Sequence, residues 1–270
     1  MFRCLLFLLI LLLPACKPGK MMPVPRRTGT LTGSGFYTQA AAMNWRERDS
    51  LVLQEALTGN IPPFLRKFVP VKLSIRDSLT GKRIRAVYYV SPDYLSIGSR
   101  KDWARVNITA YAAQQIADSF QCFLPTRKMV DDIYKAAAIK PEPVPMYAYR
   151  DSTPVMWQHH LIIEGQRKGR KGLIAGIKKD VVISGMISRE TRQDRAAIYG
   201  WHRADGRPIQ PLYTGHVYRW VDYSQGVRLV YRKIKVEGHW IDYTAVLGDP
   251  RLQKLLCDEE FCDYYRYPYQ

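Results

Sequence analysis

The sequence has little cysteine, little glycine and little negative charge, and each shortage excludes a class of protein. Five cysteines in 270 residues are too few for a disulfide-dense scaffold, and 18 glycines exclude a collagen-like repeat. What is abundant excludes general disorder, because 47% of the residues are hydrophobic and 12% are aromatic. The chain has 24 acidic and 41 basic residues, and the resulting net charge of +17 favours anionic partners.

Long hydrophobic runs are also scarce. One apolar run covers residues 4–13 and follows the single charge of Arg3. It is shorter than the roughly 20 residues that span a bilayer, and no later run is long enough either. A charged start, a short apolar middle and small residues at its end are typical of a secretory signal.

The end of this segment, Leu13-Pro14-Ala15-Cys16, resembles the lipobox of bacterial lipoproteins, although that family prefers Ser or Ala where Pro14 stands. The resemblance implies lipidation of Cys16 and attachment to the bacterial cell envelope. Lys17 rather than Asp follows the cysteine, which by resemblance to enterobacterial lipoproteins favours the outer membrane. The alternatives are an ordinary cleaved signal peptide and a buried terminal strand.

The domain organisation follows from composition. We expect a signal peptide at 1–16, a basic Pro/Gly-rich tether at 17–43 and a globular body at 44–270. The Pro-rich stretch at 140–145 places an internal boundary near 140–150.

Local patterns predict an α+β fold, with helices mainly in the first half and an antiparallel sheet mainly in the second. The predicted helices are 44–58, 109–120, 127–138, 152–167 and 250–257. The predicted strands are 69–75, 83–90, 94–97, 181–187, 195–201, 217–223 and 227–236.

Three cysteines remain in the predicted body. Cys257 and Cys262 lie close enough in sequence to pair in an oxidising envelope, the alternative being two independent thiols. A zinc site there is less favoured, because no further ligands stand nearby. Cys122 is a candidate nucleophile if a base lies beside it, and otherwise a small buried hydrophobe.

The strongest candidate site lies on the segment predicted to be a strand near residue 220. Residues of one parity share a face of a strand, so five chemically useful side chains should line up. These are His216, Tyr218, Trp220, Asp222 and Ser224. Asp222 would orient an imidazole base and the aromatic rings would stack on sugars. The alternative is that these side chains lie on the solvent-exposed face of an antiparallel sheet and have no function.

Further candidates surround this set. His202, His216 and Asp222 are the candidate metal ligands, for which catalytic zinc is the fitting ion, although they lack a fixed motif spacing. His202 is also a candidate acid or base. The candidate substrate-binding residues are Trp201, Tyr218, Trp220, Lys178, Lys179 and Arg228. The basic run 167–171 is either an anion site or a solvated loop.

Two functions remain open on this basis. The first, favoured by a small margin, is an envelope hydrolase or transferase acting on a cell-wall or other glycan-type polymer. The second is a non-catalytic lipoprotein that binds an anionic glycan or lipid headgroup, or serves as a scaffold. No nucleic acid is expected as a partner, because an exported protein has little access to it and no nucleotide-binding loop is present.

Overall fold

A computed structural model describes residues 20–269 of the chain. The predicted signal peptide and the predicted lipidation site, Cys16, lie outside these residues. The fold is α+β, with helices mostly in the first half and sheets mostly in the second, which confirms the predicted class. Among the described residues, no helix is both long enough and apolar enough to cross a membrane.

The helices begin where polar side chains cap free backbone N–H groups. Asn44 and Glu47 form a reciprocal capping box, and Thr109 and Thr126 each accept a backbone N–H at the start of a helix. Within residues 20–269 the helices are α1 (Gly33–Gln39), α2 (Trp45–Leu57), α3 (Ala110–Ser119), α4 (Arg127–Ala136), α5 (Thr153–Arg167), α6 (Gly185–Ser188) and α7 (Tyr243–Gly248), with a 3₁₀ turn at Gln253–Leu255.

The strands of the described chain form three sheets. The strands are β1 (Val69–Arg76), β2 (Arg83–Val90), β3 (Ser96–Gly98), β4 (Trp103–Arg105), β5 (Cys122–Phe123), β6 (Lys179–Val182), β7 (Arg195–His202), β8 (Pro208–Val217), β9 (Gln225–Gly226), β10 (Val230–Tyr231), β11 (Lys233–Val236) and β12 (His239–Asp242). The larger sheet has the order β12-β11-β2-β10-β5, with β1 also on β2. The second has the order β8-β7-β6-β9, and β3 pairs with β4.

The main hydrophobic core draws on both halves of the chain. It includes Val52 and Phe123 from the first half and Val181, Val230 and Val246 from the second. The boundary predicted near 140–150 therefore does not separate two cores.

Residues 20–43 differ from the predicted tether, because much of this segment packs on the body. Met22, Phe36 and Tyr37 are buried, and α1 forms within the segment. The Tyr37 hydroxyl donates a hydrogen bond to the Arg105 carbonyl at 2.6 Å. Composition alone suggested solvation, but these apolar side chains find partners that lie far away in the sequence.

The secondary structure differs from the predicted elements in several places. The strand predicted at 181–187 ends at Val182, and α6 begins at Gly185. The strand predicted at 227–236 divides into β10 and β11. The strand predicted at 217–223 is wrong, since β8 ends at Val217 and the chain then turns. The helix predicted at 250–257 reduces to the 3₁₀ turn, and α7 lies before it. Cys257 and Cys262 form a disulfide in the structure, the pairing that the sequence favoured.

Replacement of Phe36 by alanine tests whether residues 20–43 belong to the folded unit. Phe36 is 1% exposed, so we expect Phe36→Ala to lower the free energy of unfolding by about 3–5 kcal/mol. Tyr149→Ala is the control, because Tyr149 is 81% exposed and should change stability by less than about 0.5 kcal/mol. Equal midpoints of urea unfolding for the two variants would mean that residues 20–43 behave as a solvated tether and do not belong to the folded unit.

Candidate functional site

The candidate site is built on the turn formed by residues 222–226, called the 222–226 turn below. Strand β6 pairs in parallel with β9, so Lys179 lies beside Gln225, and the Lys179 N–H donates to the Ser224 carbonyl at 2.7 Å. Gly226 permits this close approach. A Cβ at that position would lie 2.6 Å from the Tyr94 ring and 2.9 Å from Cβ of Lys178.

Asp222 is the anchor of the turn. One carboxylate oxygen accepts hydrogen bonds from the Ser224 backbone N–H at 2.9 Å and hydroxyl at 2.6 Å. The other accepts from Lys179 Nζ at 3.1 Å and from Arg150 at 3.0 Å. Burial opposes ionisation, but Lys179, Ser224 and Arg150 together hold the pKa of Asp222 below its ordinary value. Asp222 is therefore a fixed carboxylate between two cations.

Asn107, which was not among the residues predicted from the sequence, also holds the turn. Its side-chain amide nitrogen lies within hydrogen-bond distance of the carbonyl oxygens of Asp222, Tyr223 and Gln225. Asn107 is 1% exposed, between the buried residues Val106 and Ile108. A polar residue inside this apolar stretch was the available signal, because a buried amide needs partners.

His216 lies near the anchor but is not bonded to it in the described structure. It stands at the end of β8, half-buried, with its ring stacked on Trp220 at a centroid distance of 6.0 Å. Burial, reinforced by the positive charge of Lys179, lowers the pKa of His216. The imidazole is consequently neutral at pH 7 and able to accept a proton.

The face predicted to carry five side chains on one strand does not exist, because the strand ends before most of them. The Trp220 N–H donates to the Val217 carbonyl and the Tyr218 N–H to the Asp194 carbonyl, which turns the chain. Ser224 serves as a partner of Asp222 within the turn. The turn still brings His216 within electrostatic influence of Asp222.

His202 belongs to a different region, so the predicted metal ligands do not come together. His202 pairs across the sheet with Pro208, whereas His216 pairs with Ala196 at the other end of the same two strands. The His202 ring nitrogen bonds to Asp131 at 2.8 Å, and Asp222 is occupied by cations. In the part of the chain described, no group of three His, Cys, Asp or Glu side chains is arranged to hold a metal ion.

Cys122 does not have the surroundings of a nucleophile. Its side chain is 3% exposed in the main core, and its thiol donates to the Phe120 carbonyl at 3.2 Å. Burial raises the pKa of the Cys122 thiol far above its ordinary value. These are the properties of a structural cysteine.

Several residues predicted to bind substrate are instead buried. Arg228 is 1% exposed and donates to the carbonyls of Ser91 and Ile174, at 3.0 and 2.7 Å. Trp201 is buried beneath Lys179, whose Nζ lies 5.7 Å from the indole. The basic run 167–171 is partly structural as well, because Arg167 bonds to the buried Asp93 at 3.3 Å.

Lys178 lies under the turn in a polar interior. It is 1% exposed, and its ammonium donates to the Tyr223 carbonyl. Burial lowers the pKa of Lys178 to about 7, and the nearby Arg105 acts in the same direction. The ring of His159 packs edge-on against Tyr223 at 4.9 Å, and burial lowers the pKa of His159 too.

Two neighbouring cavities lie beside the site and share Trp45. The first has a volume of about 580 Å³, and the second, of about 480 Å³, is lined by Trp220, Arg219 and Asp151. Tyr218 stacks on Tyr111 at 3.9 Å between ring centres as part of the first cavity wall. The predicted aromatic residues Tyr218 and Trp220 therefore line open space, unlike Trp201.

Asp49 adds an acid group to the first cavity. It is 6% exposed and accepts hydrogen bonds from the hydroxyl of Thr109 at 2.5 Å and from the backbone N–H of the same residue. Burial raises the pKa of Asp49 to about 6, although Thr109 and Arg48 act against this shift. The carboxyl thus changes its charge in mildly acidic conditions.

Lys178→Met should change the pH dependence of stability. The ordinary pKa of 10.5 falls to about 7 in the folded protein, so the unfolded chain binds the extra proton between these values. Wild-type stability therefore rises with pH across this window, by up to about 1.4 kcal/mol per pH unit from this group. Urea unfolding at pH 7 and pH 9 should show this rise reduced in Lys178→Met. The exposed-site control Lys171→Met should keep it, and parallel curves for all three proteins would contradict the assignment.

The site therefore has two parts, a rigid ionic anchor at the 222–226 turn and the open aromatic cavities beside Trp45. Comparison with protein-family models, with curated proteins and with solved structures found no match to this chain. A functional proposal consequently rests on the geometry and chemistry of these residues.

Proposed function

We propose that this protein binds a glycan-type polymer of the bacterial cell envelope in the two cavities that share Trp45. The observation that carries the proposal is the aromatic lining of open space. Trp45, Tyr111 and Tyr218 line the larger cavity, and Trp45 and Trp220 line the smaller one. Aromatic rings in a cleft offer apolar faces against which sugar rings stack.

Polar groups beside these rings suit the hydroxyl groups of a sugar. Arg46, Gln115 and Asp194 line the larger cavity, and Asn44 and Arg219 line the smaller one. A site with a few placed polar groups on an aromatic wall fixes the orientation of its ligand. The net charge of +17 adds a long-range attraction that favours an anionic polymer over a neutral one.

The proposed cellular location comes from the N-terminal sequence. The lipobox-like residues 13–16 support lipidation at Cys16 and an envelope location, with the outer membrane favoured over the inner one. A lipid-anchored protein with a sugar-binding cleft would hold the envelope polymer close to the membrane.

A hydrolase or transferase acting on the same polymer is the second candidate function. The position of His216 favours it, because this neutral imidazole stacks on Trp220, which lines the smaller cavity. A neutral imidazole beside a cleft can act as a general base toward water or a sugar hydroxyl. Burial, together with the charge of Lys179 that Asp222 holds, would keep the imidazole neutral.

Tyr218→Ala should weaken glycan binding. Loss of one stacking ring should raise Kd by about 2- to 12-fold, since an aromatic contact contributes about 0.5–1.5 kcal/mol. Titration calorimetry with peptide-free glycan strands of peptidoglycan measures this effect. Trp240→Ala is the control, because Trp240 is exposed on β12 and lines neither cavity. Equal affinity in both variants and the wild type would contradict the cavity assignment.

His216→Gln separates binding from catalysis. If His216 is a general base, release of soluble fragments from the same glycan should fall at least about 100-fold, with Kd nearly unchanged. The wild-type rate should fall toward acidic pH with an inflection below 6.5, because the pKa of His216 is lowered. His239→Gln, at an exposed histidine, should keep full activity. Unchanged turnover in His216→Gln would discard this mechanism and leave binding alone.

A further inference from the structure

The outer face of the larger sheet carries a row of basic side chains. Strands β1 and β2 pair along their whole length, so Lys72 stands opposite Val87 and Arg76 opposite Arg83. Lys235 of β11 also pairs with Val87, and Trp240 of β12 pairs with Lys235. Residues of alternate parity point inward, as the buried Ile84, Ala86, Tyr88 and Val90 show. We define the basic sheet face as Lys72, Arg76, Arg83, Arg85, Tyr89, Tyr231, Lys235 and Trp240.

The charge of this face is nearly all of one sign. Within residues 20–269, no salt bridge involves its five cations, Lys72, Arg76, Arg83, Arg85 and Lys235. Asp242, at the rim, pairs with Arg232 and Lys233, and Glu237 accepts a hydrogen bond from the Arg85 N–H. A solvated sheet face usually mixes both signs, whereas this one is left positive.

Aromatic rings lie among the cations. Trp240 is 48% exposed, and its ring lies 5.7 Å from that of Tyr89 and 6.2 Å from that of Tyr231. Lys20 Nζ lies 3.9 Å from the centre of the Tyr231 ring. Tryptophan and tyrosine are enriched at the level of lipid headgroups, where one end of the ring is apolar and the other is wet.

The described chain begins at this same face. The Phe68 N–H donates to the Lys20 carbonyl at 3.0 Å, and Met21 pairs with Lys67 at the start of β1. Cys16 precedes Lys20 by four residues, which span at most about 14 Å when fully extended. A lipid on Cys16 would therefore hold the basic sheet face within reach of the bilayer.

We propose that the basic sheet face docks on an anionic lipid surface, with Trp240 at the headgroup level. The five cations attract the negative headgroups, the aromatic rings enter the interface, and the N-terminal anchor supplies proximity. The N-terminal lipid rests on the proposed envelope location, whereas the charge and the aromatic exposure belong to the folded body. The proposal is independent of the sugar-binding cavities.

Quenching of Trp240 by brominated lipids tests the docking. The full-length chain is reconstituted into vesicles of phosphatidylglycerol and phosphatidylcholine, and the Trp240 signal is the difference between the wild type and Trp240→Phe. We expect quenching in the anionic vesicles at low salt and its loss at high salt or in pure phosphatidylcholine. Trp240 emission that is unquenched, or quenched equally in neutral vesicles, would overturn the proposal.

A matched pair of double variants assigns the effect to this face. Lys72→Gln/Lys235→Gln should shift the docking equilibrium by about 30-fold, because each cation near an anionic surface contributes about 1 kcal/mol. Lys101→Gln/Lys171→Gln removes the same charge from exposed positions elsewhere and should leave the quenching unchanged. Equal losses of quenching in the two double variants would show that only net charge matters, and would overturn the assignment of docking to the basic sheet face. Dextran sulfate binding that requires Lys72 and Lys235, without any quenching by vesicles, would assign the face to a soluble polyanion instead.

Trp45→Ala keeps the two proposals distinguishable. This variant alters the aromatic cavities and leaves the basic sheet face intact, so its Trp240 quenching should equal that of the wild type. Loss of quenching in Trp45→Ala would place the lipid contact at the cavities and overturn docking by the sheet face.

Discussion

The buried ion pair between Asp222 and Lys179 is the interaction on which the site depends. Lys179 starts β6 and Asp222 starts the 222–226 turn, so the bond ties the middle of a sheet to an irregular segment 43 residues away. Both side chains are at most 6% exposed. Such a pair costs desolvation energy, and removal of one partner leaves an unpaired buried charge. Arg150 and Asn107 add the hydrogen bonds that make the geometry specific.

The same interaction explains why some predicted chemistry is absent from the site. A carboxylate that accepts from Ser224, Lys179 and Arg150 has no oxygen left to orient an imidazole. His216 instead experiences the field of Lys179 and stacks on Trp220, at the edge of open space. Neither Asp222 nor Lys179 lines the two cavities, although Val221 lines the smaller one, so sugar recognition would fall to the aromatic residues.

The two proposed surfaces use the positive charge in different ways. Each cavity is lined by both signs of charge, Arg46 and Asp194 in the larger and Arg219 and Asp151 in the smaller, so recognition would depend on hydrogen bonds and stacking. On the basic sheet face, acidic partners are few and the field of one sign reaches outward. A protein held by one face to a membrane and open to sugars at another would join the polymer to the lipid surface.

Local sequence signals determined most of the helices. The helix predicted at 44–58 matches α2, and those at 109–120, 127–138 and 152–167 match α3 to α5, because caps and apolar periodicity act within one element. The sequence pattern was also sufficient to predict strands β1 and β2, since alternating residues with a turn between them specify a hairpin. The fold class follows from these elements.

Tertiary structure alone decided the site and the packing of residues 20–43. The alternation of residues 216–224 resembled a strand, but the Tyr218 N–H donates to the Asp194 carbonyl where the chain turns after Val217. Asn107, also distant in sequence, donates to the Tyr223 carbonyl and holds the 222–226 turn. Burial of Lys178, Arg228 and Trp201 likewise depends on which elements cover them, and composition cannot encode that. The sequence by itself determined elements, charge and a candidate address, because these depend on neighbouring residues. Which side chains meet, and which face water, was decided by contacts between segments far apart in the chain.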